Sequence, residues 1–168
     1  TSGIGSRLGE LTNYTNKSLI RVGKKPAISY IVERYPDEIE LVITLGYFGD
    51  HVKDFLELAY PNKKFTFVNV DKYEGEGSSL GYSMLQAKEY LQCPFIFHAS
   101  DTIVFDNWNE NIFLNLIQEP DKNWVGYSHK EDSSQYRTLL YSTNSNFKNT
   151  IFKINEKGDL NSGQIYIG

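Results

Sequence analysis

Short apolar runs alternate with segments of helical periodicity in the first part of the chain, and this alternation restricts the possible folds more than any other feature. Strands are indicated at Ile39–Thr44, Phe65–Val70 and Pro94–Ala99 by their β-branched and aromatic residues. Helices are indicated between them, at Asp50–Tyr60 and Ser78–Leu91. Strand–helix–strand units place their strands parallel in one sheet. The sequence therefore predicts an α/β fold, with a mostly parallel, mixed sheet and helices on both faces.

The spacing of apolar residues predicts the buried face of each helix. The first helix is expected to bury Val52, Phe55, Leu56 and Ala59. The second is expected to bury Leu80, Met84, Leu85 and Ala87, and to be capped by Ser78 or Ser79. An earlier helix is expected to start at Pro26, because proline is favoured in the first helical turn.

The last third of the chain has a different pattern. A helix is expected over Asn109–Gln118, followed by strands at Trp124–Tyr127, Tyr136–Ser142 and Thr150–Ile154. We interpret these strands as an antiparallel set that forms one wall of a substrate pocket. No linker divides the chain, so the sequence predicts one domain over residues 1–168.

Composition excludes two broad classes of protein. The chain has 168 residues and a net charge of −4, whereas a nucleic-acid-binding surface needs a positive field. No apolar run approaches the roughly 20 residues of a membrane-spanning helix. One cysteine, Cys93, rules out an internal disulfide and is expected to be buried. Without a visible signal peptide, the chain is predicted to be cytoplasmic.

Both ends of the sequence lie within patterned segments. The chain begins at Thr1, without an initiator Met, directly in a Gly-rich stretch. It ends at Gly168, directly after the strand-like run Gln164–Ile167. We therefore expect the sequence to be a fragment of a longer protein, truncated at both ends.

The Gly-rich stretch over residues 1–8 (T-S-G-I-G-S-R-L) is suited to anion binding. Gly3 and Gly5 allow a tight turn whose N–H groups can approach an anion without an intervening Cβ. Arg7 adds a guanidinium that can grip phosphate oxygens. The stretch is not a Walker A loop, and a dinucleotide fingerprint would need glycine in place of Leu8. An ordinary Gly-rich hairpin loop is the alternative interpretation.

Three later segments carry further candidate residues. Lys17 precedes an apolar run and could extend its amine into a cleft, or could be a surface lysine. Asp101 follows the third predicted strand, where ligands of open α/β sheets bind, and its oxygens suit Mg²⁺. A turn residue or helix cap is the alternative for Asp101. Gly77 and Ser78 precede a helix, where a flat base can approach the backbone, although a capped loop is equally compatible.

Two histidines are further candidates for catalytic groups. His51 begins a predicted helix and is expected to be exposed. His98 lies on a predicted strand and is expected to line the core or a cleft. A Ser–His–Asp hydrolase would need a G-x-S-x-G nucleophile elbow, and the sequence contains none.

The order of these segments resembles the opening of the sugar-phosphate nucleotidyltransferase superfamily. Residues 3–8 are similar to its G-x-G-[ST]-R-L pattern, residues 16–19 to P-K-[AS]-L, and residues 22–28 to V-[GN]-x-K-P-[LI]-[IL]. Gly46-Tyr47 looks like its G-Y pair, and Asp101 like its metal-binding aspartate. The chain departs from the pattern at Asn16, where the family has proline. Within the superfamily, the phosphocholine cytidylyltransferase and hexose-1-phosphate nucleotidyltransferase branches are the most similar.

The resemblance implies a Rossmann-like domain of the nucleotidyltransferase type. Its nucleotide-binding part would cover about residues 1–105, and the start of an acceptor-binding part about residues 106–168. It implies a Mg²⁺-dependent enzyme that transfers NMP from an NTP to a phosphorylated small molecule, first of all a sugar 1-phosphate, and releases pyrophosphate. Such enzymes supply nucleotide sugars for cell-surface polysaccharides. A second metal-binding aspartate is expected beyond Gly168.

The resemblance also assigns roles to residues. Arg7, Lys17 and Asp101 would be catalytic, and Asp101 would bind the metal. The nucleotide-binding residues would be Ser2, Gly3, Gly5, Ser6, Arg7, Gly77 and Ser78. Two alternatives remain open: a cytidylyltransferase acting on phosphocholine or a similar phosphoamine, and a non-catalytic nucleotide-binding regulatory domain.

Overall fold

A computed structural model describes residues 1–104, 123, 137–143, 149–155 and 165–167. The chain divides into two compact units, Thr1–Asn107 and Trp108–Gly168. The predicted helix over Asn109–Gln118 and the predicted strand over Trp124–Tyr127 lie outside the described residues.

The first unit combines short strands with three α-helices within residues 1–104. Its strands are β1 (Arg21–Val22), β2 (Lys25–Pro26), β3 (Glu40–Leu45) and β4 (Lys64–Asn69). Its α-helices are α1 (Ala27–Val32), α2 (Gly49–Ala59) and α3 (Leu80–Gln86). Short 3-10 helices span Ser6–Thr12, Lys17–Leu19 and Lys88–Leu91. None of the helices in the described part of the chain has the length and hydropathy needed to cross a membrane.

The pair β3–β4 forms the centre of this unit. The two strands are parallel, with Glu40 beside Lys64 at one end and Leu45 beside Asn69 at the other. Helix α2 connects them, so the predicted crossover unit is confirmed. The shorter pair β1–β2 is antiparallel and leads directly into α1, which starts next to Pro26 as predicted.

The hydrophobic core lies between this sheet and helices α1 and α2. Val52 and Leu56 of α2 are both 0% exposed, because residues four apart lie on the same face of a helix. They pack with Leu45 of β3 and with Ile28 and Val32 of α1. The predicted inner face of α2 is thus confirmed for these two residues, whereas Ala59, at the end of the helix, is exposed.

The prediction for the buried face of helix α3 is confirmed at Ala87 and is wrong at Leu80 and Leu85. Leu80 is 58% and Leu85 64% exposed, whereas Ser83 and Ala87 are 8% and 3% exposed. Ser83 and Ala87 lie one turn apart and so share a helix face, where the Ser83 hydroxyl lies 2.9 Å from that of Ser2. The N-cap prediction is confirmed, since the Ser79 hydroxyl accepts a hydrogen bond from the N–H of Tyr82.

The predicted third strand, Pro94–Ala99, is wrong, because no strand is assigned to this segment. Its β-branched and aromatic residues suit a strand, but a strand also requires a neighbouring edge that pairs with its backbone. Phe95 and Phe97 are about half exposed, so burial does not favour the extended pairing either. Cys93, at the start of the segment, is exposed rather than buried as expected.

The second unit contains an antiparallel sheet. Its strands are β5 (Arg137–Thr143), β6 (Asn149–Ile154) and β7 (Ile165–Ile167), in the order β6–β5–β7. The predicted strands at Tyr136–Ser142 and Thr150–Ile154 are confirmed, as is their antiparallel pairing. The pairing of β5 with β6 shifts register between Leu140 and Tyr141.

The core packing predicts a contrast between two leucines of α2. Leu56→Ala should lower the free energy of unfolding by about 2–5 kcal/mol, because the side chain is fully buried. Leu58→Ala, at a position that is 82% exposed, should change it by less than about 0.5 kcal/mol. Urea unfolding followed by circular dichroism measures both values. Equal losses in the two variants would contradict this assignment of the core.

Candidate functional site

Two residues predicted to bear chemistry are in direct contact. The Nζ atom of Lys17 lies 2.7 Å from Oδ2 of Asp101, although the residues are 84 positions apart in sequence. The Lys17 side chain is 24% exposed and that of Asp101 is 61% exposed. The pair is therefore open to solvent on the aspartate side, where a ligand can reach it.

The environment keeps Asp101 ionised at neutral pH. Partial desolvation raises the pKa of Asp101, but the hydrogen bond from Lys17 and the positive charge of that residue outweigh it. The net pKa lies below the ordinary value for aspartate. A carboxylate that stays ionised can bind a cation that arrives with a ligand.

Asn16 positions Lys17, and sequence reasoning missed this role. Its side chain is 0% exposed and caps the 3-10 helix Lys17–Leu19, accepting hydrogen bonds from the N–H and the hydroxyl of Ser18. Its Nδ2 donates to the carbonyls of Thr1 (2.7 Å) and Tyr47 (2.6 Å). The family pattern marked Asn16 only as a departure from proline. The preference of asparagine for N-cap positions was the signal that could have identified it.

Gly5 allows the N-terminal loop to pack against Lys17. Its φ angle is +74°, in the left-handed region that favours glycine. A Cβ added at this position would lie 2.9 Å from the Cβ of Lys17 and 3.2 Å from Cγ2 of Thr12. A Cβ added at Gly3 would have no protein atom within 4 Å, so the space beside Gly3 is open.

Ser2 fastens the same loop to two other elements. Its hydroxyl lies 2.9 Å from that of Ser83 in α3, and its carbonyl accepts a hydrogen bond from the N–H of Tyr47. A Cβ at Gly46 would lie 2.5 Å from this carbonyl, which explains why a glycine precedes Tyr47. The hydroxyl and the carbonyl of Ser2 thus both form hydrogen bonds within the protein, and these bonds hold the N-terminal loop in place.

The remaining predicted residues flank the central pair. Ser6 and Arg7 are exposed at the start of the 3-10 helix Ser6–Thr12. Gly77 has a φ of +83°, and the hydroxyl of Ser78 donates to the carbonyl of Gly75. Within residues 1–104, no hydrogen bond joins Arg7, Gly77 or Ser78 to Lys17 or Asp101.

Lys72 is a second residue that the sequence analysis did not single out. A Cβ placed at Gly77 would lie 3.1 Å from its Nζ atom, so the ammonium group lies against the loop that precedes α3. It adds a positive charge beside the segment proposed to face the base. Nothing in the spacing of the sequence distinguishes it from other surface lysines.

Asp101 fits a metal ion that is bound together with phosphates. Among the residues that the structure describes, no group of three His, Cys, Asp or Glu side chains is placed to hold a metal by itself. Mg²⁺ commonly takes one or two carboxylates and completes its coordination with water and substrate phosphates. A single exposed carboxylate, with the Lys17 ammonium 2.7 Å away, is compatible with that requirement.

Comparisons with curated proteins identify relatives of this chain. No family model matches it. The bifunctional protein GlmU of Methanococcus vannielii is 26% identical over 139 residues, which cover 77% of this chain and 32% of the relative. The choline-phosphate cytidylyltransferase of Streptococcus pneumoniae is 30% identical over 112 residues, which cover 66% of this chain and 46% of the relative. The chain thus spans 32% of the length of the first relative and 46% of the length of the second.

Two solved structures have the same fold. UDP-glucose pyrophosphorylase complexed with UDP-glucose matches with a TM-score of 0.81 over 99% of this chain and 71% of that chain, at 20% identity. CTP:phosphocholine cytidylyltransferase (LicC) from Streptococcus pneumoniae matches with a TM-score of 0.67 over 98% of this chain and 67% of that chain, at 27% identity. The fold is therefore the Rossmann-like α/β fold predicted from the sequence. In sequence and in fold, the chain is thus similar to nucleotidyltransferases.

The geometry at Gly5 predicts a specific cost for an added methyl group. Gly5→Ala should lower the free energy of unfolding by about 1–3 kcal/mol more than Gly75→Ala, because only Gly5 faces Lys17 closely. Gly75 is the matched control, since its φ is also +74° and a Cβ there meets nothing within 4 Å. Urea unfolding compares the two variants. Equal losses would mean that backbone strain alone explains the effect.

The lowered pKa of Asp101 predicts how stability depends on pH. A carboxyl whose pKa is lower in the folded state stabilises the protein above its unfolded pKa, about 3.9, and loses this effect as pH falls through the folded value. The stability difference between the wild type and Asp101→Asn should therefore be constant from about pH 7 to 5 and shrink below about pH 4. Thermal unfolding across this range measures it. A difference that grows on acidification would contradict the assignment.

Proposed function

We propose that the chain provides the nucleotide-binding part of a Mg²⁺-dependent nucleotidyltransferase. The enzyme would transfer NMP from an NTP to a phosphorylated small molecule, first of all a sugar 1-phosphate, and release pyrophosphate. The observation that carries this proposal is the contact of Lys17 with Asp101 beside the loop that contains Gly5. This contact brings together a group that can neutralise phosphate and one that can hold a metal.

The reaction requires positioning and charge neutralisation more than acid–base chemistry. An oxygen of the acceptor phosphate attacks the α-phosphorus of the NTP in line, and the bond to the bridging oxygen of the leaving pyrophosphate breaks. Because the attacking oxygen is already ionised at neutral pH, the protein does not have to remove a proton. Catalysis then depends on holding the two phosphates together and on stabilising the charge that develops.

Each residue of the site has a part in this proposal. The N–H groups of the loop around Gly3 and Gly5 would cradle the triphosphate, and Arg7 would neutralise the departing pyrophosphate. Lys17 would contact the α-phosphate or the acceptor phosphate. Asp101 would hold the metal, which when bound would supply positive charge across the phosphate oxygens. The backbone at Gly77 and Ser78 would face the base.

The ion pair between Lys17 and Asp101 is well suited to exchange partners. The carboxylate is 61% exposed, and pairs of this kind contribute only about 0–1 kcal/mol to stability. A substrate phosphate can therefore replace Asp101 as the partner of Lys17, and the metal can replace Lys17 as the partner of Asp101, at little energetic cost. Without substrate, each charge satisfies the other and keeps both side chains ordered.

We also propose a cytoplasmic location and a role in making nucleotide sugars for cell-surface polysaccharides. Both follow from the proposed substrates, since NTPs and sugar phosphates are cytoplasmic metabolites. The second candidate is a cytidylyltransferase for phosphocholine or a related phosphoamine. The 30% sequence identity with a choline-phosphate cytidylyltransferase supports this second candidate function.

Pyrophosphate release tests the proposal and separates the two acceptors. The full-length protein, with the second metal-binding aspartate expected beyond Gly168, is incubated with Mg²⁺, each of the five common NTPs, and either sugar 1-phosphates or phosphocholine. One pair of substrates should release pyrophosphate, and EDTA should abolish the release. Asp101→Ala and Lys17→Ala should each lower the rate roughly 10²–10³-fold, because the first removes the proposed metal ligand and the second removes a positive charge beside the phosphates.

Lys64→Ala is the matched control, because Lys64 is exposed on β4 and should not affect the rate. Nucleotide binding without pyrophosphate release for any acceptor would reject the proposed activity and favour a binding domain. Release that survives EDTA and Asp101→Ala would reject the proposed metal and its ligand.

A further inference from the structure

The segment that carries Asp101 is held mainly by side chains. No strand is assigned between Pro94 and Val104, so a β-ladder does not fix the backbone of this segment. Asp101 nevertheless lies at hydrogen-bonding distance from Lys17. Other contacts must therefore determine where the segment presents its carboxylate.

His98 closes a turn around Asp101. Its Nε2 atom lies 2.8 Å from the carbonyl of Thr102, and the N–H of Thr102 donates to the carbonyl of Ala99 at 3.1 Å. Asp101 thus lies inside a short loop that is bonded twice to itself. The imidazole spans the loop from one side of Asp101 to the other.

Tyr35 holds the other side of the imidazole. Its hydroxyl lies 2.9 Å from Nδ1 of His98, and the two rings meet edge to face with centroids 6.0 Å apart. Tyr35 is 6% exposed, and its backbone carbonyl accepts a hydrogen bond from Lys63. The hydroxyl is therefore anchored in the well-packed region that follows α1.

The two contacts of His98 define its tautomer. A carbonyl only accepts, so Nε2 must carry a proton. In the neutral ring, Nδ1 is then an acceptor and the hydroxyl of Tyr35 donates to it. Burial raises the pKa of Tyr35, so its hydroxyl keeps this proton at neutral pH.

The residue next to Tyr35 secures the far end of the same segment. Arg34 donates from its guanidinium to the carbonyl of Val104. Two consecutive residues after α1 therefore reach the segment at His98 and at Val104, on both sides of Asp101. This arrangement differs from a general packing contact, because both anchors flank one functional carboxylate.

We propose that His98, held by Tyr35, is a positioning residue for Asp101. It acts through the turn that it closes and does not itself touch substrate or metal. The inference rests on the proposed role of Asp101 as a ligand of Mg²⁺. Loss of the contact between Tyr35 and His98 should therefore weaken binding of the divalent cation before it affects folding.

Binding of Mn²⁺ in the presence of a saturating NTP, followed by electron paramagnetic resonance, is the test. Tyr35→Phe removes one hydroxyl and should weaken Mn²⁺ affinity roughly 10-fold, the usual scale for a partner that orients a metal ligand. Tyr60→Phe is the matched control, because it removes a hydroxyl that donates to Glu33, and should leave the affinity unchanged. His98→Phe should weaken affinity at least as much as Tyr35→Phe.

A conservative replacement separates positioning from bulk packing. The amide of His98→Gln offers a donor for Thr102 and an acceptor for Tyr35, so this variant should recover much of the affinity that His98→Phe loses. Nitrogen-15 NMR of the wild type should report the tautomer of His98 with the proton on Nε2. Tyr35→Phe should shift the Nδ1 resonance of His98 and leave that of His51 unchanged.

The outcomes distinguish this inference from the proposed function. If Asp101→Asn retains full Mn²⁺ affinity, the proposed metal ligand itself is wrong. If Asp101→Asn loses affinity while folded Tyr35→Phe and His98→Phe retain it, only the positioning role is wrong. If His98→Phe does not fold, the Mn²⁺ affinity of the milder variant Tyr35→Phe decides whether His98 positions Asp101.

Discussion

The side chain of Asn16 is buried where three segments of the chain meet, and the geometry of the candidate site depends on its hydrogen bonds. It reaches the N-terminal loop at Thr1, the turn after β3 at Tyr47, and the 3-10 helix that begins with Lys17. Removing a partner from a buried amide costs about 1–3 kcal/mol, because the unpaired group cannot recover its bonds to water. The loop, the turn and Lys17 are therefore constrained together.

Local periodicity was enough to predict the β3–α2–β4 unit, because its pattern of apolar residues matches the burial that forms. Leu80 and Leu85 of α3 and the segment Pro94–Ala99 were not predicted correctly, since their burial and pairing depend on which element approaches them. Small residues face inward in α3, and a strand-like composition does not form a strand without a paired edge. Such outcomes depend on tertiary contacts that single-sequence patterns do not contain.

The candidate site was predictable in its residue types and not in its supporting contacts. Glycines, a lysine and an aspartate in a characteristic order singled out Gly5, Lys17 and Asp101 as candidates, and the structure places these three residues close together. The contact of Lys17 with Asp101 spans 84 positions, and only the family resemblance connected the two residues. The roles of Asn16 and Tyr35 were not predicted, because they depend on hydrogen bonds between distant segments. Such buried polar contacts produce no periodic pattern in the sequence.

The exposed run Phe95-Ile96-Phe97 has a consequence for the behaviour of the protein in solution. It combines high β-propensity with no charge, and its backbone is not committed to a ladder within the described residues. Two copies that meet at this run can pair edge to edge, and such pairing competes with the native fold. Pro94 limits this association at one end, because it has no N–H to donate, and so acts as a gatekeeper. The segment that carries Asp101 thus also exposes apolar side chains next to a backbone that has no strand partner within the described residues.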